Sequence, residues 1–147
     1  MDEAPDPGLT NFQMHWGLIR SDGLEKPAFT SVKNLISELN DSVEPERLQQ
    51  LTYSLSAQNA QIHHLLLQRS DGDFSMIFWQ EVQSYDYEKQ QEITVSSRTI
   101  TLTLAHSVQT LTTYQPTTQA RPLQVYTNAT SVSLEIPDHP LVVQIKP

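Results

Sequence analysis

The chain has 147 residues, with 9 Lys and Arg against 17 Asp and Glu and a formal net charge of −8 at pH 7. This length suffices for one domain with its own core, and an acidic chain without a Lys or Arg cluster is unsuited to a nucleic-acid partner. The absence of cysteine excludes disulfides and cysteine metal sites but leaves the localisation unknown. The longest apolar run is far shorter than a membrane span, so we expect no membrane partner.

The first predicted elements are a short strand, a turn and a helix. Met14 to Ile19 is an apolar stretch, and Ser21-Asp22-Gly23 is a turn signal. Pro27 suits the first position of a helix, because it lacks the N–H that would have no partner there. We predict a helix over residues 27–39 with an apolar face that needs a partner. That face consists of Ala28, Val32, Leu35, Ile36 and Leu39.

The segment from Gly17 to Ala28 matches the pattern GL-x-R-x-DG-x-x-KPA. It resembles the end of the (β/α)8 catalytic domain of retaining glycoside hydrolases of the cellulase and xylosidase superfamily. Residues 2–12 resemble the Asp- and Pro-rich loop that precedes the last barrel strand. The resemblance implies that residues 1–41 are a barrel-terminal strand and helix remnant. It also implies that both catalytic glutamates, which follow the fourth and seventh strands in such enzymes, would precede Met1.

The rest of the chain, residues 42–147, has the pattern of β-strands separated by short turns. Asp71-Gly72 is the best hairpin signal, since glycine tolerates the positive φ of a tight turn. Ile100, Leu102 and Leu104 alternate with polar residues, as a strand with one buried face must. We therefore predict a mainly β fold, an antiparallel β-sandwich of eight or nine strands preceded by one α-helix from a barrel-like βα unit. The predicted strands lie near 50–57, 61–69, 74–82, 91–97, 99–105, 107–114, 122–127, 131–136 and 140–146.

This second part also resembles a known domain. His63 to Val82 is similar to the LLL-x-K-x-DG-x-(F/Y)-x-L-x-LWNE hairpin of the sandwich appended to glycosidase barrels, with Gln80 at the usual Asn position. Pro140 to Pro147 resembles the closing strand of that sandwich. The resemblance implies that residues 42–147 form such an accessory domain, that the barrel is its partner, and that the protein is secreted if its parent is an extracellular glycosidase.

The titratable residues give little signal for a catalytic or metal site. His63 and His64 are adjacent in a predicted strand, so their side chains point to opposite faces and cannot easily hold one ion. We predict no metal and no cofactor. Glu81 follows Trp79-Gln80 as the acid follows in a WNE motif, but Gln80 breaks that match and the surrounding strands are not parallel. A glycosidase needs two carboxylates roughly 5–10 Å apart, and we assign no catalytic residue here.

Exposed aromatic side chains remain as candidate sugar contacts, since sugar rings stack on Trp and Tyr without needing charge. Tyr85 and Tyr87 flank Asp86 in a polar stretch that should be a loop or strand edge. We predict Tyr85, Tyr87 and Trp79 as carbohydrate-binding residues. The alternative for the tyrosines is packing over the edge of the sandwich. Trp79 shares a strand face with Ile77, so its alternative is packing in the core or at a domain interface.

The sequence thus favours a non-catalytic C-terminal accessory domain of a glycoside-hydrolase-like protein, structural or weakly binding to oligo- or polysaccharide. One alternative is a small polysaccharide-active enzyme with a metal or carboxylate site in the sandwich. Another is a free-standing interaction module, in which the helix over 27–39 docks another chain. Because large apolar side chains avoid water, we expect this helix to fold back on the sandwich near Trp16 and Trp79, or to pair with a second copy.

Overall fold

The computed structural model describes residue 2 and residues 16–41, 43–56 and 61–147. Within these residues the protein is mainly β, with one helix followed by eight strands, and every strand pair is antiparallel. The predicted fold class is therefore confirmed. The elements are α1 (Pro27–Leu39), β1 (Tyr53–Leu55), β2 (Ile62–Gln68), β3 (Phe74–Gln80), β4 (Tyr85–Asp86), β5 (Gln91–Glu92), β6 (Arg98–Tyr114), β7 (Gln124–Ile136) and β8 (Leu141–Lys146).

Immediately before α1, residues 19–25 form a local turn. Ile19 and Glu25 form an isolated antiparallel bridge around Gly23, whose φ is +87°. Among the described residues, the strand-like pairing of residues 16–19 is this bridge, and the amide of Asp2 donates to the carbonyl of Ile19 at 2.7 Å. The remainder of that strand, and most of the loop expected over residues 2–12, lie outside the described residues. Helix α1 begins at Pro27, as predicted.

Six strands form one sheet, in the order β1-β6-β8-β3-β2 with β7 on the other edge of β6. The first part of β6 pairs with β1 at residues 102–104, and its last part pairs with β8 at residues 110–114. Because β1 and β8 follow one another along the same edge of β6, the sheet folds over into two layers. Of the strand predicted near 91–97, only β5 pairs, and it does so with β4 in a separate hairpin.

Strands β6 and β7 are long and bent, where the sequence predicts four short strands. The register between them shifts between Thr103 and Val108, and Asn128 adopts a left-handed φ of 51°. A β-bulge absorbs the extra residues of β6 and bends both strands without a turn. The four predicted segments joined in this way are 99–105 with 107–114, and 122–127 with 131–136.

The hydrophobic core lies between the two layers. Strand β3, which lies between β8 and β2, contributes Phe74, Met76 and Phe78, all nearly or fully inaccessible. The predicted alternation in β6 is confirmed, since Ile100 and Leu102 are buried against them. The other members of the core cluster are Leu104, Val108, Leu111, Val132, Leu134, Ile136, Leu141, Val143 and Ile145.

Helix α1 packs on the outer face of the sheet through polar contacts. Asn34, only 9% exposed, donates from Nδ2 to the carbonyl of Pro116 at 2.8 Å. The carbonyl of Glu38 accepts from Nε2 of Gln144 at 3.0 Å and from Nη1 of Arg69 at 3.1 Å. Gln144 alternates with the core residues of β8, which places it on the outer face. The helix is thus tied to the sheet, and the predicted boundary between residues 41 and 42 stays a prediction.

The docked face of α1 is rotated away from the predicted apolar stripe. Val32 and Ile36 remain 42% and 63% exposed, while Leu35 and Leu39 are half-buried. The polar contacts of Asn34 and the Glu38 carbonyl fix this rotation. The expected folding back onto the sandwich is seen, and the hydrogen bonds go to β8, to the β2–β3 turn and to Pro116 after β6 rather than to Trp79. Across the described residues, no helix has the length and apolar character needed to span a membrane.

Candidate functional site

Two of the predicted sugar-contact residues lie on the short β4–β5 hairpin. Tyr85 pairs with Glu92, and Asp86 pairs with Gln91, around a turn over residues 87–90. Oδ1 of Asp86 accepts from the amides of Glu88 at 3.1 Å and Lys89 at 3.0 Å. The turn is therefore fastened by a side chain of its own first strand.

Asp86 is further fixed by charge. The ammonium of Lys89 lies 3.1 Å from Oδ2 of Asp86. The hydrogen bonds from the Lys89 amide and side chain, with a smaller one from the Glu88 amide, hold the pKa of Asp86 below its ordinary value. The carboxylate is thus ionised at neutral pH, and it keeps the turn in one conformation.

The two tyrosine rings contact one another on this hairpin. Their centroids are 5.1 Å apart and the rings meet edge to face at 74°, a favoured aromatic geometry. Tyr87 is 76% exposed and Tyr85 is half-buried. Nε2 of Gln90 donates to the Tyr87 carbonyl at 2.6 Å. The hairpin therefore holds one tyrosine ring against another and leaves the Tyr87 ring open to solvent.

Trp79 lies elsewhere, on the outer face of β3. It alternates with Phe78 and Gln80, which point inward, so the core alternative for Trp79 is wrong. Its ring stacks on His63 of β2, its partner in register, with centroids 5.6 Å apart and planes at 26°. Nε2 of His63 lies 2.8 Å from Oε2 of Glu81, without the alignment of a hydrogen bond. Trp79, His63 and Glu81 form a cluster that we call the tryptophan cluster.

The grouping of Trp79, His63 and Glu81 was not predicted, although the sequence contains a signal for it. The Asp71-Gly72 turn, confirmed by a φ of +91° at Gly72, fixes the register of β2 and β3. Counting outward from that turn places His63 opposite Trp79. Among the described residues, the ring contact of Trp79 is with His63, and the ring contact of Tyr85 is with Tyr87.

The described residues offer no group of three His, Cys, Asp or Glu side chains that could hold a metal ion. His63 and His64 point to opposite faces, as predicted, because His64 stacks on Phe78. Nε2 of His64 also lies 2.8 Å from the hydroxyl of Tyr53. His139 shares a 2.9 Å hydrogen bond with Gln115.

The carboxylate of Glu81 is largely exposed, with 78% of its side chain accessible, and its partner is His63. A histidine neighbour gives this carboxylate a structural contact, whereas glycoside hydrolysis requires a second carboxyl group on the other side of the bond to be broken. That Glu81 has no catalytic role remains a prediction from the sequence.

Comparison with protein-family models gives no match for this chain, and comparison with curated proteins gives none either. Function is therefore argued from the residues themselves.

Proposed function

We propose that this chain is a non-catalytic accessory module of a glycoside-hydrolase-like protein, structural and weakly carbohydrate-binding. The observation that carries the binding role is the Tyr87 ring, 76% exposed yet held edge to face against Tyr85. A tyrosine has few rotatable bonds, so a ring already fixed in place loses little entropy when it contacts a ligand. Such a ring can stack on the C–H face of a sugar without needing charge.

The parentage is supported by the sequence resemblance. The motif from Gly17 to Ala28 contains the turn at Gly23 and the helix start at Pro27, and the hairpin from His63 to Val82 contains the turn at Gly72. The parent would act in polysaccharide metabolism and would be secreted if it is an extracellular glycosidase. The catalytic carboxylates would belong to the barrel.

Titration calorimetry with cello-oligosaccharides and xylo-oligosaccharides tests the binding role. Tyr87→Ala should weaken binding by about twofold to tenfold, because an aromatic contact contributes about 0.5–1.5 kcal/mol. Tyr87→Phe should retain the affinity, since it keeps the ring. Leu48→Ala is the matched control, because Leu48 is apolar and 81% exposed but carries no ring. If Tyr87→Ala binds as tightly as Leu48→Ala, the hairpin is not the sugar contact.

The non-catalytic assignment is tested with aryl glycosides and with soluble β-glucans and xylans. We expect no turnover. Turnover that is lost in Glu81→Gln, with the fold intact by circular dichroism, would instead establish the polysaccharide-active enzyme that is the alternative reading. Retained zinc or copper that is lost in His63→Ala would point in the same direction.

A second candidate function, a protein-interaction module, is favoured by the free side of α1. Val32 and Ile36 lie about half a turn around the helix from the docked Asn34, and both are substantially exposed. The barrel domain or a second copy of the chain would cover them. Sedimentation at several concentrations, with Ile36→Asp as the variant, tests the second copy. Dimerisation that Ile36→Asp abolishes supports this function, and a monomer at all concentrations excludes self-association.

A further inference from the structure

A cleft of about 420 Å³ opens between the two arms of β7. Its polar lining consists of Thr113, Gln124, Tyr126, Ser133 and Glu135, and three leucines complete it. Small-molecule sites typically have volumes of about 300–1,000 Å³. The cleft shares no residue with the β4–β5 hairpin or with the tryptophan cluster, so it is a separate surface.

The bend in β7 creates this cleft. Tyr126 pairs with Leu111 in the part of the sheet that contains β8, whereas Ser133 pairs with Thr101 in the part that contains β1. The left-handed φ of Asn128 lies between the two arms. Among the described residues, β7 pairs with β6 alone and its other edge carries no strand. Leu134 is 2% exposed, so the core itself closes the cleft from behind.

The polar side chains of the cleft are held in place and retain hydrogen-bonding capacity. The hydroxyl of Tyr126 donates to Oε1 of Gln124, which fixes both side chains and leaves the Gln124 amide group to donate. Oε1 of Glu135 accepts from the hydroxyl of Thr99 at 2.6 Å, which leaves Oε2 as an acceptor. Ser133 adds a hydroxyl that can both donate and accept. A donor amide and an acceptor carboxylate thus line the same cleft, beside one aromatic ring.

The charge and polarity of the cleft restrict its ligand. An anion would meet the Glu135 carboxylate on a chain of net charge −8. A metal ion would find a single carboxylate, which is too few charged ligands for a cation site. A purely apolar ligand would remove water from Glu135 and Gln124 without replacing their hydrogen bonds, which is unfavourable.

We infer that this cleft binds a neutral polyhydroxylated ligand, such as one sugar unit of a glycan. Vicinal hydroxyls can donate to Glu135 and accept from Gln124, while the Tyr126 ring and the leucines cover the C–H face. This inference goes beyond the tyrosine hairpin, because it requires neither Tyr85 nor Tyr87.

Amide chemical-shift titration of the ¹⁵N-labelled chain with D-glucose, D-xylose and D-glucuronate tests the inference. We expect shifts at Gln124, Tyr126, Ser133 and Glu135 with the two neutral sugars, and weaker shifts with the anionic one. Glu135→Ala should weaken binding by about tenfold or more, because hydrogen bonds to a charged group are the stronger ones. Glu135→Gln keeps an acceptor and should lose less.

Tyr87→Ala separates this inference from the proposed function. Cleft shifts that persist in Tyr87→Ala and are lost in Glu135→Ala support the cleft. Sugar binding that is lost only in Tyr87→Ala supports the hairpin and overturns the cleft. The cleft is equally refuted if the Glu135→Ala variant, with unchanged thermal unfolding, binds glucose as tightly as the unsubstituted chain does. It is also refuted if glucuronate binds more tightly than glucose.

Discussion

Replacement of Gln80 by alanine should destabilise the fold by about 2 kcal/mol. Gln80 is 4% exposed, and its Nε2 donates to the carbonyls of Ile136 at 2.7 Å and Ser96 at 3.2 Å. It therefore joins the end of β3 to the end of β7. Because both partners are acceptors, the amide can serve them only with its nitrogen turned toward them.

The magnitude follows from three contributions. A buried carbonyl that loses its donor costs about 1–3 kcal/mol, and the Ile136 carbonyl is the more buried of the two. The removed methylene contributes roughly 0.8 kcal/mol. Oε1 of Gln80 is itself buried without a hydrogen-bond partner among the described residues, so its removal offsets part of this loss, by about 1 kcal/mol.

Urea unfolding followed by circular dichroism measures the effect, with Gln83→Ala as the matched control. Gln83 is an exposed glutamine nearby, whose truncation should change the free energy of unfolding by no more than about 0.5 kcal/mol. Equal stabilities of the Gln80→Ala and Gln83→Ala variants would refute the argument, because the two carbonyls would then not need the amide.

Gln80→Glu adds a pH test with a definite sign. A buried carboxyl facing two carbonyl oxygens has its pKa raised in the folded state. Its destabilising effect should be smallest below the unfolded pKa of about 4.3 and should grow as the pH rises toward the folded-state pKa. A destabilisation that is constant from acidic to neutral pH would mean that this carboxyl escapes to water.

Two further predictions concern the attachment of α1. Asn34→Ala should lower the free energy of unfolding by about 1–3 kcal/mol, because the buried Pro116 carbonyl loses its donor; urea unfolding checks this against the exposed Lys33→Ala on the same helix. The amide and hydroxyl of Ser70 donate to Asp41 and hold the pKa of its carboxyl below the ordinary value. The contribution of these hydrogen bonds to the free energy of unfolding is therefore present above the unfolded pKa of about 3.9. It is lost as the pH falls through the folded-state pKa. The melting temperatures of the unsubstituted chain and the Asp41→Asn variant should therefore converge at low pH. A difference that persists at low pH would contradict the link between Asp41 ionisation and stability.

Elements with local signals could be predicted from the sequence. The start of α1 at Pro27 and the turn at Gly72 each depend on the conformational limits of a single residue. The inward alternation of Ile100, Leu102 and Leu104 follows from one buried face and needs no knowledge of the partner strand.

The long strands could not be predicted, because their continuity depends on partners that are distant in sequence. Residues 104–107 have no glycine or proline to signal either a turn or a bulge. Only the pairing with β7, β1 and β8 shows that the chain passes through as one bent strand. The rotation of α1 about its axis could not be predicted for the same reason. The buried Asn34 donates a hydrogen bond to Pro116, which is 82 residues away in the sequence.

The two candidate binding surfaces also differ in whether their residues are close together or far apart in the sequence. Tyr85 and Tyr87 meet within a two-stranded hairpin, so a local polar stretch was enough to find them. The cleft requires Thr113, Gln124 and Glu135 to converge across the bend of β7. Such a site has no motif in the sequence, because its members are brought together by the bulge and not by their spacing.

The three consecutive residues Trp79, Gln80 and Glu81 show how stability and surface chemistry are linked at the end of β3. Period-two alternation turns Gln80 inward, where it joins the two layers, and turns Trp79 and Glu81 outward to meet His63. The inward amide thus positions the strand that presents the outward ring and carboxylate. A loss of ligand binding in any Gln80 variant would therefore report the position of β3, whereas a loss in Trp79 or Glu81 variants with unchanged stability would report the surface itself.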